Sequence, residues 1–173
     1  SYFNMSTNRP ITIFAIDISG STSGESWYYQ NVERILIENY QPGDMIIEWN
    51  GGANVVSREE MQQRINKRNG TGYTSPQKII SLLNKLGLKR VNRLVLITDG
   101  EVNVSEIDRC DTEITENQIT FDYFDGYIIG WKKNANLSVT CPFTRSCSHT
   151  VTQLEPNSTP EALIQISVED LGL

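Results

Sequence analysis

The stretch Ile11-Thr12-Ile13-Phe14-Ala15-Ile16-Asp17-Ile18-Ser19-Gly20-Ser21 changes character at its middle: a nearly unbroken apolar run ends on an aspartate and opens into a serine and glycine loop. A run without polar alternation is the pattern of a strand buried on both faces, as in a parallel sheet covered by helices. Arg93-Leu94-Val95-Leu96-Ile97-Thr98-Asp99-Gly100 repeats the design. Between the two, Ser26–Tyr40 reads as a helix with Tyr28, Val32, Ile35, Leu36 and Tyr40 on one stripe. Met45–Trp49 reads as a strand that Gly51-Gly52 turns into an antiparallel edge, Ala53–Val56. Ser57-Arg-Glu-Glu60 has capping-box spacing. Ser75-Pro76 opens another helix, striped by Ile79, Leu82, Leu83 and Leu86 and stopped by Gly87.

Further on, the pattern predicts a short helix over Ser105–Ile114 and a strand within Phe121–Gly130, chiefly Gly126–Gly130. Trp131–Arg145 reads as irregular, Cys147–Leu154 as a strand near the sheet's edge, and Glu161–Leu171 as a last helix opened by Thr159-Pro160. Strands alternating with helices imply one doubly wound α/β domain over residues 11–173. Its sheet is mostly parallel, with helices on both faces and one antiparallel edge strand. Residues 1–10 read as a flexible polar tail.

The composition excludes several classes. At 173 residues and a formal charge of −6, with 15 basic against 21 acidic residues, the chain has no basic stripe for a phosphate backbone, so no nucleic-acid partner is expected. No apolar run approaches the roughly 20 residues of a membrane span, and no secretory leader opens the sequence. Cys110, Cys141 and Cys147 are too few for a disulfide scaffold, and they lack the spacing of a zinc site even with His149. A Cys–His nucleophile pair would need an oxyanion hole and an orienting group that nothing marks. The N-x-S/T sequons at Asn4, Asn69, Asn103, Asn136 and Asn157 matter only in a secreted protein, and the cysteine usage points to a cytoplasmic one. The sequence sets no oligomeric state.

Two strands therefore end on acids. In an open α/β sheet, ligands bind beyond the carboxyl ends of the strands, where the strand order reverses. If these strands are neighbours there, Asp17 and Asp99 share one crevice. In an extended loop, positions i, i+2 and i+4 point one way, so Asp17, Ser19 and Ser21 converge. Carboxylates and hydroxyls are hard ligands suited to Mg²⁺, with Mn²⁺ or Ca²⁺ as alternatives.

Asp17-Ile-Ser19-Gly-Ser21 resembles the D-x-S-x-S motif of von Willebrand factor A (vWA) domains, the start of their metal-ion-dependent adhesion site. Gly72-Tyr-Thr74-Ser-Pro resembles the threonine loop that precedes a helix in that family, and Thr98-Asp99-Gly100 its T-D-G element. The order of elements fits the family from residue 11 to residue 171. The resemblance implies a metal site of Asp17, Ser19, Ser21, Thr74 and Asp99. It also implies a non-enzymatic module that captures a partner protein's Asp or Glu through the metal. Tyr73, Glu101, Asn50 and Trp27 are the candidates for the surrounding partner-binding surface.

Each piece also has an ordinary reading. Asp17 and Ser19 could cap the next helix, Asp99-Gly100 could be a turn, Trp27 and Tyr73 could be partly packed, and Glu101 could be a solvated charge. An Mg²⁺-dependent aspartyl-phosphate phosphotransferase would place a second acid where Ser19 stands, and no G-x-x-x-x-G-K-[ST] loop is present. A metal-independent scaffold domain is the third reading.

Overall fold

A computed structural model describes residues 3–4, 9–145, 147–156 and 164–166. The strands are β1 (Phe3–Asn4), β2 (Arg9–Pro10), β3 (Thr12–Asp17), β4 (Met45–Trp49), β5 (Ala53–Val56), β6 (Arg90–Thr98), β7 (Thr120–Ile129), β8 (Ser148–Leu154) and β9 (Ile164–Ile166). The helices are α1 (Ser26–Asn39), α2 (Arg58–Lys67), α3 (Gln77–Lys85), α4 (Val104–Asn117) and the single turn α5 (Cys141–Thr144). Seven strands form one sheet in the order β5-β4-β3-β6-β7-β8-β9. The centre is parallel, and β5 and β9 close the two edges antiparallel. The expected doubly wound, mostly parallel architecture is thus observed, with a second antiparallel edge besides β5.

The alternation along each buried strand sends neighbours to opposite layers. Phe14, Ile16, Val95 and Ile97 pack with Tyr28, Val32 and Ile35 of α1 and with Met61 and Ile65 of α2. Ile13, Ala15, Leu94 and Leu96 pack on the other face with Ile79, Ile80 and Leu83 of α3 and Ile107 and Cys110 of α4. Both faces of the two strands are buried, which is why they read as unbroken apolar runs.

The chain leaves β3 toward β4 and leaves β6 in the opposite direction toward β7, so the strand order reverses between β3 and β6. These two strands pair directly, Ile16 beside Ile97, and their carboxyl ends open one crevice. The capping box of α2 is present: Ser57 accepts from the Glu60 amide, and the Glu60 side chain accepts from the Ser57 amide.

Several boundaries differ from expectation. α4 is longer than Ser105–Ile114, and β7 begins at Thr120 rather than Gly126. The first half of β7 carries Asp122, Tyr123 and Asp125, whose polarity hides the strand, while Arg93 reaches across from β6 to bridge Asp125 at 2.6 Å. Within the irregular Trp131–Arg145, Leu137–Thr140 forms a 3-10 turn that runs into α5.

The expected last helix, Glu161–Leu171, is corrected where it can be followed: Ile164–Ile166 is strand β9, paired with Val151–Gln153 of β8. The rest of that segment lies outside the described residues. Ile164-Gln165-Ile166 alternates with period two, and β8 offers an open ladder, so pairing overrides the Thr-Pro start signal. In the expected tail, Phe3–Asn4 pairs with Arg9–Pro10, and Arg9 bridges Asp44 at 3.0 Å. No helix among the described residues is long and apolar enough to cross a membrane.

Candidate metal centre

The crevice between β3 and β6 holds two buried acids. Asp17 is 0 % exposed and Asp99 1 %. The backbone amide of Ser19 donates to Asp17 Oδ1 at 2.8 Å, so the chain folds back over the carboxylate as it leaves the strand. The Thr98 hydroxyl donates to Asp17 Oδ2 at 2.7 Å and accepts from the Gly100 amide at 3.0 Å. Both Asp17 oxygens are therefore engaged, across the strand pair and along its own loop. Asp99 accepts from the Glu101 amide on Oδ1 at 3.0 Å. Its other oxygen, Oδ2, is buried and has no hydrogen-bond partner. Ser19 and Ser21 bring their hydroxyl oxygens within 3.3 Å of each other, and the Ser21 hydroxyl faces Asp99.

The electrostatics follow from this crowding. Burial, then the neighbouring Asp99, pushes the Asp17 carboxyl from 3.8 up to about 7, against the opposing hydrogen bonds from Ser19 and Thr98. Burial raises Asp99 as well, opposed by the Ser21 hydroxyl and the Glu101 amide. Glu101, at the rim, is raised by partial burial and then by the charges of Asp99 and Glu25. No salt bridge found among the described residues reaches Asp17, Asp99 or Glu101. Acidic groups are thus crowded at one spot, outside the ion pairs found among the described residues.

Backbone bonds clamp the threonine-bearing loop onto the first loop. Gly20 N–H donates to the Gly72 carbonyl at 3.0 Å, and Thr71 N–H to the Ile18 carbonyl at 2.8 Å. Gly70 lies so close to the Ser19 carbonyl and the Thr22 hydroxyl that a Cβ would overlap both. Gly72 has φ +81°, a conformation that favours glycine. Thr74 is half-buried and lines a cleft with Glu101 and Asn103 on the same face. Ser75 N–H bonds the Asn50 carbonyl just before α3 begins.

The four surrounding candidates fall in different places. Asn50 is engaged within the loops: its Nδ2 donates to the Thr71 carbonyl at 2.9 Å and its Oδ1 accepts from Gly52. Trp27 is half-buried, its Nε1 donating to Glu25 at 2.6 Å and its ring edge-on to Tyr28. Tyr73 projects from the surface at 83 % exposure. Glu101 is exposed and lines the cleft beside Thr74.

Three residues that the sequence reading did not single out also build the site. Thr98 fixes Asp17, and its place in Thr98-Asp99-Gly100 was the available signal. Tyr28, fully buried, donates to the Asp17 carbonyl at 2.5 Å, and Tyr29 meets the Thr22 hydroxyl at 2.7 Å. In sequence Tyr28 reads only as a member of the apolar stripe of α1, and Tyr29 is not part of that stripe.

Among the described residues no group of three or more His, Cys, Asp or Glu side chains forms a metal cage. The donors here are two carboxylates with hydroxyls. An orphaned, buried carboxylate oxygen beside a second buried acid is a donor set that fits a hard divalent cation.

No family model matches the chain, and no curated protein matches it in sequence. Among solved structures it is similar to the conserved hypothetical protein BatB from Bacteroides thetaiotaomicron. The identity is 13 % and the TM-score 0.53, over 88 % of this chain and 93 % of that one. An aerotolerance-related membrane protein from Bacteroides fragilis, carrying multiple mutations to serine, aligns at 17 % identity and TM-score 0.45, over 68 % of this chain and 67 % of that one. The likeness to BatB is one of fold, and together with the strand order it identifies a Rossmann-like, vWA-like α/β fold.

Proposed function

We infer that this chain is a divalent-metal-dependent protein-binding module. The observation that supports this reading best is Asp99 Oδ2, a buried acceptor with no partner, beside a second buried aspartate. Leaving such a group unpaired in a protein costs roughly 1–3 kcal/mol, more for a charge, and the natural remedy is a cation. Asp17, Asp99, Ser19, Ser21 and Thr74 would hold Mg²⁺, with Mn²⁺ or Ca²⁺ as substitutes, some of them through water. When bound, the cation supplies a fixed positive anchor for a carboxylate. Asp17 and Asp99 together balance its charge, and the hydroxyls add donor oxygens without adding charge. A partner's Asp or Glu can then approach without a build-up of negative charge.

The module reading is preferred to a phosphotransferase. The position two residues beyond Asp17 is a serine rather than the acid that such an enzyme would use to protonate the leaving group. The test is a pull-down with wild-type protein and Asp99→Ala, each with Mg²⁺ and with EDTA. Partner capture is expected only for wild type in Mg²⁺, and identical capture in all four lanes would refute metal dependence. Ser19→Asp is expected to retain the metal while weakening capture at least about tenfold, because a third carboxylate quenches the cation's pull on a partner acid.

A further inference from the structure

Beside the aspartate pair lies a cleft of about 460 Å³, with Tyr73, Thr74 and Ser75 on one wall and Glu101, Asn103 and Glu106 on the other. Tyr73 is strongly exposed, yet its loop is fixed: Gly72 and Ser75 on either side are tied by backbone bonds to Gly20 and Asn50. A rigid loop therefore presents an uncovered aromatic face. The opposite wall carries two carboxylates. Their only cation among the ion pairs of the described residues is Arg109, 4.0 Å from Glu106 and itself 70 % exposed, a weak surface contact. Behind Glu106 stands Gln77, 8 % exposed. Its amide nitrogen donates to Glu106 Oε2 at 2.5 Å, while its Oε1 is buried and has no partner. The cleft thus combines an aromatic face with two carboxylates, one of them fixed from behind by Gln77.

We propose that this cleft receives an arginine side chain from the same partner segment whose carboxylate reaches the aspartate pair. The assignment rests on the metal-dependent reading above and specifies its partner: an acidic residue with an arginine close by in the same segment. A guanidinium is planar and can lie against the Tyr73 ring while its several N–H groups serve Glu101 and Glu106. A lysine ammonium supplies charge without the plane. The arginine also answers an electrostatic difficulty. Glu25, Glu101 and Glu106 around the site, on a chain of net charge −6, repel a purely acidic segment, and a cation beside the acid offsets that repulsion.

The test is selection of a randomised phage-displayed peptide library on the whole chain in Mg²⁺, with elution by EDTA. Binders carrying an Asp or Glu together with an Arg at a preferred offset are expected. A selected peptide is expected to bind about tenfold tighter than its Arg→Gln analogue by fluorescence polarisation. That ratio should fall toward one in the Tyr73→Ala/Glu106→Gln double variant, whose binders still require the acid and Mg²⁺. EDTA-eluted acidic binders without arginine would overturn the cleft assignment and leave the metal reading intact. Equal enrichment of lysine, or a ratio unchanged in the double variant, would also overturn it. A library with no EDTA-eluted binders would overturn both readings.

Discussion

Asp17 is held in a place where its charge is unfavourable. In the unfolded chain its carboxyl titrates near 3.8, and in the folded, metal-free protein burial and Asp99 raise it to about 7. Between those values the folded state keeps a proton that the unfolded chain has released, so stability falls as pH climbs through this window. Asp99 shifts in the same direction and adds to the slope. In EDTA, the melting temperature is expected to drop between about pH 5 and about pH 7.5, with a loss of order a few kcal/mol. Asp17→Asn should flatten that slope and raise the melting temperature near neutrality, while abolishing stabilisation by Mg²⁺. Circular-dichroism melts across pH check this, and an undiminished slope in the variant would place its origin elsewhere. The aspartates were legible in sequence because each ends an apolar run. Their opposed hydrogen bonding was not, since Thr98 reaches Asp17 across 81 positions of sequence.

At the scale of elements, the site is two loops clamped together. Gly70 is the closest point of the clamp, against the Ser19 carbonyl and the Thr22 hydroxyl, and Thr22 in turn holds Tyr29 of α1. A methyl group there must push the threonine loop away from the Asp17–Ser21 loop. Gly70→Ala is therefore expected to destabilise the domain by about 1–3 kcal/mol. It should also weaken Mg²⁺ binding more than a surface substitution such as Lys78→Ala does, as measured by denaturant melts and by calorimetric titration with Mg²⁺. Equal Mg²⁺ affinity in the two variants would show that the clamp does not position the ligands. In sequence, Asn69-Gly-Thr-Gly-Tyr73 is a glycine-rich stretch whose purpose only the contacts show. The elements themselves were legible wherever periodicity was strong, as in β3, β6, α1 and α3. Periodicity failed in the polar first half of β7 and at Ile164–Ile166, where an open strand edge outweighed a helix start signal.

For the whole molecule, metal binding and folding are linked, because the two aspartates come together only in the folded sheet. At a Mg²⁺ concentration a hundredfold above its dissociation constant, the linkage adds about 2.7 kcal/mol, or roughly 5–10 °C in melting temperature for a domain of this size. That rise is expected in wild type and absent in Asp99→Ala, and thermal melts with and without Mg²⁺ measure it. The sequence by itself determined the layered α/β architecture, since two unbroken apolar strands demand helices on both faces. It also determined which acids end those strands, because local spacing alone places Asp17, Ser19 and Ser21 together. Only the tertiary structure decided the rest: that β3 and β6 are neighbours at the reversal of strand order, that Asp99 Oδ2 is left without a partner, and that Tyr73 stands free while Asn50 is held inside the loops. The physical reason is that periodicity and capping are short-range, whereas burial of a charge, or the lack of a partner for it, depends on atoms brought together from distant parts of the chain.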